Sequence, residues 1–90
     1  MDIREAQQVL DEFVAALRDR FTYGEWQKLI GEVEVVERQG PSGVTYQMEW
    51  NVFWDAQPGG DIRILVSIDD GSLVRFIVPL TASFLVSTEG

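Results

Sequence analysis

The sequence predicts an α+β fold, in which a long N-terminal helix packs on one face of a four-stranded antiparallel β-meander. In the first twenty residues, apolar side chains recur at the spacing of a helix. From Glu32 onward the period changes to two, and turns rich in glycine and proline separate the alternating segments. Ninety residues, 46% of them apolar, suffice for one modest core. We therefore predict a single domain over residues 1–90.

The first predicted element is an amphipathic helix from Asp2 to Arg20. Its apolar residues are spaced three and four apart and share one face, while the opposite face is mostly charged. Asp2 is expected to cap the first turn, and Glu5 to complete a capping-box pattern three residues later. The apolar face consists of Ile3, Ala6, Val9, Leu10, Phe13, Val14, Ala16 and Leu17.

A short second helix is predicted from Gly24 to Ile30, within "FTYGEWQKLIG". Thr22 followed by Glu25 is a capping-box signature, and Gly31 is suited to end the helix. The same stretch also fits an irregular connection whose apolar side chains close one end of the core. Those side chains are Trp26, Leu29 and Ile30.

Three strands follow from alternation, with turns at "QGPSG" and "DAQPGGD" between them. The segments are "EVEVVER", "VTYQMEWNVFW" and "IRILVSI". We expect Val36 on the sheet face away from the helix. One core cluster should contain Phe13, Leu17, Trp50, Val52, Ile64, Val66 and Phe76.

The fourth strand is predicted in "SLVRFIVP", directly after the two aspartates of "SIDDGSLVRF". A two-residue turn would bury Arg75, whereas a three-residue turn pairs Ile68 with Ser72 and turns Arg75 outward. The longer turn also matches a common hairpin that places Gly71 at positive φ. The tail adds "SFLV", a short fifth strand.

Asp69 and Asp70 are therefore interpreted as turn residues rather than as cation ligands. A calcium loop needs about six oxygen ligands, and this stretch lacks the EF-hand spacing. We expect no metal site and no cofactor.

The composition excludes several chemistries. Without cysteine or histidine there are no disulfides, thiolate or imidazole metal ligands, or cysteine and histidine catalysts. Seven basic residues against fifteen acidic ones give a net charge of −8, which disfavours nucleic acid and anionic membranes as partners. The start lacks the features of a secretion signal, so a cytoplasmic protein is expected.

The sheet face away from the helix is the candidate functional surface. Apolar residues and arginine together have a composition typical of interface centres. The residues from Leu80 to Val86 could instead fold back and cover this face. The predicted contact residues are Phe53, Arg63, Leu65, Arg75 and Ile77.

These features favour a non-catalytic interaction module that binds a protein partner or a second copy through this face or an edge strand. The alternative is a small-ligand or carboxylate-based catalytic domain with a pocket between helix and sheet. The order of helix and then meander resembles cystatin-like two-layer folds in topology, and such a resemblance carries no function.

Overall fold

The described part of the chain forms two helices and a four-stranded sheet, which confirms the predicted α+β class. The structure is a computed structural model that describes residues 2–70 and 80–88. All neighbouring strands are antiparallel, in the meander order β1-β2-β3-β4. No helix in the described part of the chain is long and apolar enough to cross a membrane. The elements are α1 (Ile3–Arg18), α2 (Tyr23–Lys28), β1 (Val33–Gln39), β2 (Thr45–Trp54), β3 (Ile62–Asp69) and β4 (Leu80–Val86).

Helix α1 begins as predicted, because the Asp2 side chain accepts hydrogen bonds from the backbone N–H groups of Arg4 and Glu5. The predicted role of Glu5 in a capping box is wrong. Its carboxylate turns instead toward the hairpin between β1 and β2, which offers it three donors. The apolar face packs against the sheet through Ala6, Val9, Leu10, Phe13 and Leu17.

Helix α2 forms in the predicted stretch, so the alternative of an irregular connection is wrong, although its apolar side chains do close one end of the core. Thr22 and Glu25 make the predicted reciprocal capping box, with bonds of 3.0 and 3.3 Å. Gly31 follows the helix with a φ of 88°, the left-handed region in which glycine is favoured. Trp26 is fully buried, in edge-on contact with the rings of Phe21, Trp50 and Phe84.

Strands β2 and β3 supply the centre of the core through the side chains that face the helices. Trp50 lies opposite Val66, and Val52 opposite Ile64. These four residues join one cluster with Phe13 and Leu17, as predicted. Phe76, the seventh predicted member, lies outside the described residues.

The pairing register of strand β1 is determined by the turn at residues 40–43, which joins it to β2. The turn pairs Gln39 with Thr45 and therefore Val36 with Met48. Because Met48 points toward the helices, Val36 does too, and its predicted position on the outer face is wrong. Val33 and Val35 occupy that face instead.

The fourth strand of the described sheet is β4, which comes from the tail, and the strand predicted in "SLVRFIVP" lies outside the described residues. Ile68 lies between Met48 of β2 and Leu80 of β4, so both sides of β3 are occupied and the predicted pairing of Ile68 with Ser72 is wrong. The same pairing shows that residues 80–86 extend the sheet and do not fold over its outer face. The predictions on Gly71 and Arg75 lie outside the described residues.

Candidate interaction surface

The sheet face away from both helices is uncovered by any other described element. Across β2, β3 and β4, Phe53 lies beside Arg63, and Arg63 beside Leu85. Phe53 and Leu85 are 38% and 45% exposed. In the adjacent row Leu65 is half-buried beside Asn51, whose other neighbour is Val33. We use the term outer patch for the surface formed by Val33, Val35, Phe53, Arg63, Leu65 and Leu85.

Arg63 occupies the middle of the outer patch in a fixed orientation. Its Nε donates to Asp55 Oδ1 at 2.7 Å, and its Nη1 donates to Ser83 Oγ at 2.9 Å. Both charged side chains of this ion pair are about one-third exposed, so the pair adds little to stability. The two hydrogen bonds instead orient the Arg63 side chain, whose neighbours on the adjacent strands are Phe53 and Leu85.

The other end of the outer face is acidic. Glu37, Gln47 and Asp69 form one row across β1, β2 and β3. Glu49 lies in the next row beside Val35. The outer face is therefore divided into an apolar end around Arg63 and an end bearing three carboxylates.

Three of the five predicted contact residues come together on this face. Phe53, Arg63 and Leu65 occupy adjacent rows, whereas Arg75 and Ile77 lie outside the described residues. Sequence reasoning missed Val33, Val35 and Leu85. The regular alternation of "LTASFLV" was a signal for Leu85, and pairing across the "QGPSG" turn was a signal for the two valines.

Strand β1 borders the outer patch and is an edge of the sheet formed by the described strands. Val52 donates its N–H to the Glu32 carbonyl, and Gly40 donates to the Val44 carbonyl. In an antiparallel pair every second residue bonds to the neighbouring strand, and these two bonds show that the even-numbered residues of β1 do so. The N–H and C=O groups of Val33 and Val35 therefore point away from β2. The edge is therefore contiguous with the apolar side chains of the patch.

On the opposite face, two hollows lie between α1 and β1. One has a volume of about 420 Å³ and the other about 260 Å³, and Phe13 and Arg38 line both. The described residues place one carboxylate at the wall of each hollow, Glu12 in the larger and Glu34 in the smaller. Within residues 2–70 and 80–88, no three acidic side chains come together in a way that could hold a metal ion.

A polar cluster joins the start of α1 to the turn between β1 and β2. The Glu5 carboxylate accepts bonds from Ser42 N–H at 2.8 Å, Ser42 Oγ at 2.7 Å and the Tyr46 hydroxyl at 2.6 Å. The Tyr46 bond and then the Ser42 bonds lower the pKa of Glu5, and the Glu5 bond and burial raise the pKa of Tyr46 to about 12. All three partners are engaged with one another, which is typical of a structural contact.

Comparison with known proteins gives no match: no family model, curated protein or solved structure is significantly similar to this chain. The functional argument therefore depends on the surfaces themselves.

Proposed function

We propose that this chain is a non-catalytic interaction module that binds a basic protein partner through its outer patch. The observation that carries the proposal is the row of Phe53, Arg63 and Leu85, which no described element covers. Exposed apolar residues gathered around an oriented arginine are the composition found at the centres of protein interfaces. Threonine or lysine at the same positions would serve solubility better.

Charge favours a basic partner over a second copy. A net charge of −8 opposes self-association, and it accelerates the approach of a positively charged surface. The carboxylates of Glu37 and Glu49 lie next to the apolar residues, where they would face basic residues of the partner. Apolar contact at one end and charge attraction at the other would also define the partner's orientation.

The hollows between α1 and β1 favour a second candidate function, the binding of a small ligand. Catalysis by carboxylates alone requires an acid and a base on opposite sides of the substrate. Glu12 and Glu34 line different hollows, which supports binding rather than catalysis.

The experiment for the outer patch uses Leu85→Glu and Leu65→Glu, with Ala15→Glu on the exposed face of α1 as the matched control. Light scattering gives the mass of the free protein. Affinity capture then identifies a partner, whose binding is measured with each purified variant. We expect the free protein to be a monomer. The Ala15→Glu variant should still bind the basic partner, whereas the Leu85→Glu variant should lose this binding while its melting temperature stays unchanged.

Two results would overturn the proposal. If both outer-patch variants keep their melting temperature and every interaction of the parent, this face is ordinary surface. If the free protein is a dimer that Leu85→Glu dissociates, the occupant of the patch is a second copy rather than a basic partner.

A further inference from the structure

The hollows between α1 and β1 arise because one helix is narrower than the sheet beneath it. Four strands at about 4.8 Å spacing are roughly 19 Å across, whereas a helix with its side chains is about 10 Å wide. Helix α1 lies mainly over β3 and β4. The helix-facing side of β1, which carries Glu34, Val36 and Arg38, is therefore left beside the helix rather than under it.

The smaller hollow has an apolar and aromatic lining. Its walls come from α1, from the connection between the two helices, from the C-terminal end of α2, and from β1 and β2. Trp50 is only 5% exposed, and Val36 and Leu29 are half-buried, so the hollow reaches only part of each of these side chains. The apolar members of the lining are Phe13, Phe21, Leu29, Val36 and Trp50.

Two arginines border the same hollow. The Arg38 guanidinium lies 5.6 Å from the centre of the Phe13 ring, and that of Arg20 lies 5.3 Å from the Phe21 ring. Arg38 also donates to the backbone carbonyl of Glu37. Among the described residues neither guanidinium group is within 4.0 Å of a carboxylate, so both retain donors for an anion.

From this arrangement we propose that the hollow binds a small aromatic carboxylate. The ligand's ring lies against Phe13 and Trp50, and its carboxylate accepts hydrogen bonds from Arg38, with Arg20 nearby. Among the described residues that line the hollow, two cations against the single carboxylate of Glu34 make the local charge positive, although the whole chain is acidic. That local sign selects an anion over a cation of the same shape.

The size of the hollow limits the ligand. A volume of about 260 Å³ is below the roughly 300–1,000 Å³ of pockets that hold drug-sized molecules. One ring or two fused rings are therefore the expected size. This site lies on the opposite face of the sheet from the outer patch, so either proposal can fail without the other.

The test is an amide NMR titration at neutral pH with 2-naphthoate, compared with the neutral 2-naphthalenemethanol. We expect 2-naphthoate to shift the amide signals of Phe13, Val36 and Arg38. It should bind about tenfold more tightly than the alcohol, because a charge-assisted bond to arginine is gained.

Variants distinguish binding at the hollow from a general effect of the protein's net charge. Arg38→Gln should weaken 2-naphthoate about tenfold and leave the alcohol unchanged. Arg4→Gln removes the same charge from the exposed first turn of α1 and should change neither affinity. Arg20→Gln provides a second variant if Arg38→Gln lowers the melting temperature.

Any of three results would overturn the inference. The acid and the alcohol could bind equally, or Arg38→Gln and Arg4→Gln could weaken the acid equally. The third is the absence of shifts around the hollow at about 10 mM ligand, an affinity too weak for a specific site.

Discussion

At the scale of single residues, Glu5 links the two layers of the molecule at one end. It lies in the first turn of α1, and its three donors belong to residues 42 and 46 of the hairpin. The helix cap at Asp2 depends on local sequence and was predictable, because the partners are two and three residues away. The Glu5 contacts span 37 and 41 residues, so no local pattern predicts them.

The Glu5 cluster should make the protein less stable in acid. A lowered carboxyl pKa adds stability that is complete above the unfolded value of about 4.3 and is lost as the pH falls through the folded value. Tyr46→Phe removes the largest cause, so the pKa of Glu5 should rise toward its ordinary value and the loss of stability in acid should shrink. Carbon NMR of the Glu5 carboxyl group measures the first effect, and urea unfolding from about pH 5 to pH 3 measures the second.

Tyr23→Phe is the matched control, because it removes a hydroxyl that donates to Gly60 rather than to Glu5. It should leave the pKa of Glu5 unchanged. Equal Glu5 pKa values in Tyr46→Phe and the parent would show that the hydroxyl bond is not the cause. On the alkaline side, the raised pKa of Tyr46 means that its contribution is complete up to about pH 10 and is lost as the pH passes about 12.

Two glycines should respond oppositely to alanine. A Cβ on Gly40 would lie 2.9 Å from Glu5 and from the Tyr46 ring, whereas a Cβ on Gly24 in α2 meets nothing within 4 Å. Gly40→Ala should cost about 1–3 kcal/mol of unfolding free energy by overpacking. Gly24→Ala should add about 0.5–1 kcal/mol, because alanine favours a helix. Urea unfolding measures both, and a Gly40→Ala protein as stable as the parent would contradict the close contact.

At the scale of elements, β4 shows which part of the fold local reasoning missed. A short hairpin after Asp70 was preferred, yet closing a longer connection costs little more free energy, since the entropy loss grows only with the logarithm of length. The alternation of apolar and polar side chains in residues 80–86 is what suits this segment to be β4. Leu80, Ala82, Phe84 and Val86 all face the helices, whereas Thr81 and Ser83 face outward.

The position of β4 predicts that alanine substitutions at two neighbouring residues have very different effects on stability. Phe84 is 7% exposed and contacts Trp26, while Leu85 points away from the core. Phe84→Ala should cost about 3–5 kcal/mol, and Leu85→Ala should change stability by no more than about 0.5 kcal/mol. Chemical denaturation of both variants checks this. Similar costs at the two positions would mean that residues 80–86 do not form this strand.

At the scale of the whole molecule, the change of period from helix to strand was enough to predict the fold class. The outer patch was predictable where alternation was unambiguous, at Phe53, Arg63 and Leu65. The hollow beside β1 was not, because it depends on the lateral position of α1 over the sheet, and periodicity defines only which face of a helix is buried. Phe13 and Trp50 were accordingly predicted as core residues, which they are, without their second role in lining the hollow.

The net charge of −8 predicts that salt stabilises the fold. Repulsion among fifteen acidic groups destabilises a compact chain, and about 0.2 M NaCl reduces the range of that repulsion to several ångströms. The exposed Arg63–Asp55 pair is also screened, but such a pair contributes at most about 1 kcal/mol. We therefore expect the melting temperature to rise by several degrees from low salt, since about 1 kcal/mol corresponds to roughly 4–8 °C in a domain of this size.

Glu49→Lys tests whether this response comes from the carboxylates of the outer face. The new cation would lie in the row next to that of Glu37 and Asp69. It should raise the melting temperature at low salt and reduce the gain on adding NaCl, and Glu49→Gln should do both to about half the extent, since it changes the charge by one unit instead of two. Scanning calorimetry in NaCl measures each variant. A melting temperature that falls as salt is added to the parent would mean that attractive ion pairs, rather than repulsion, dominate the electrostatics of this acidic chain.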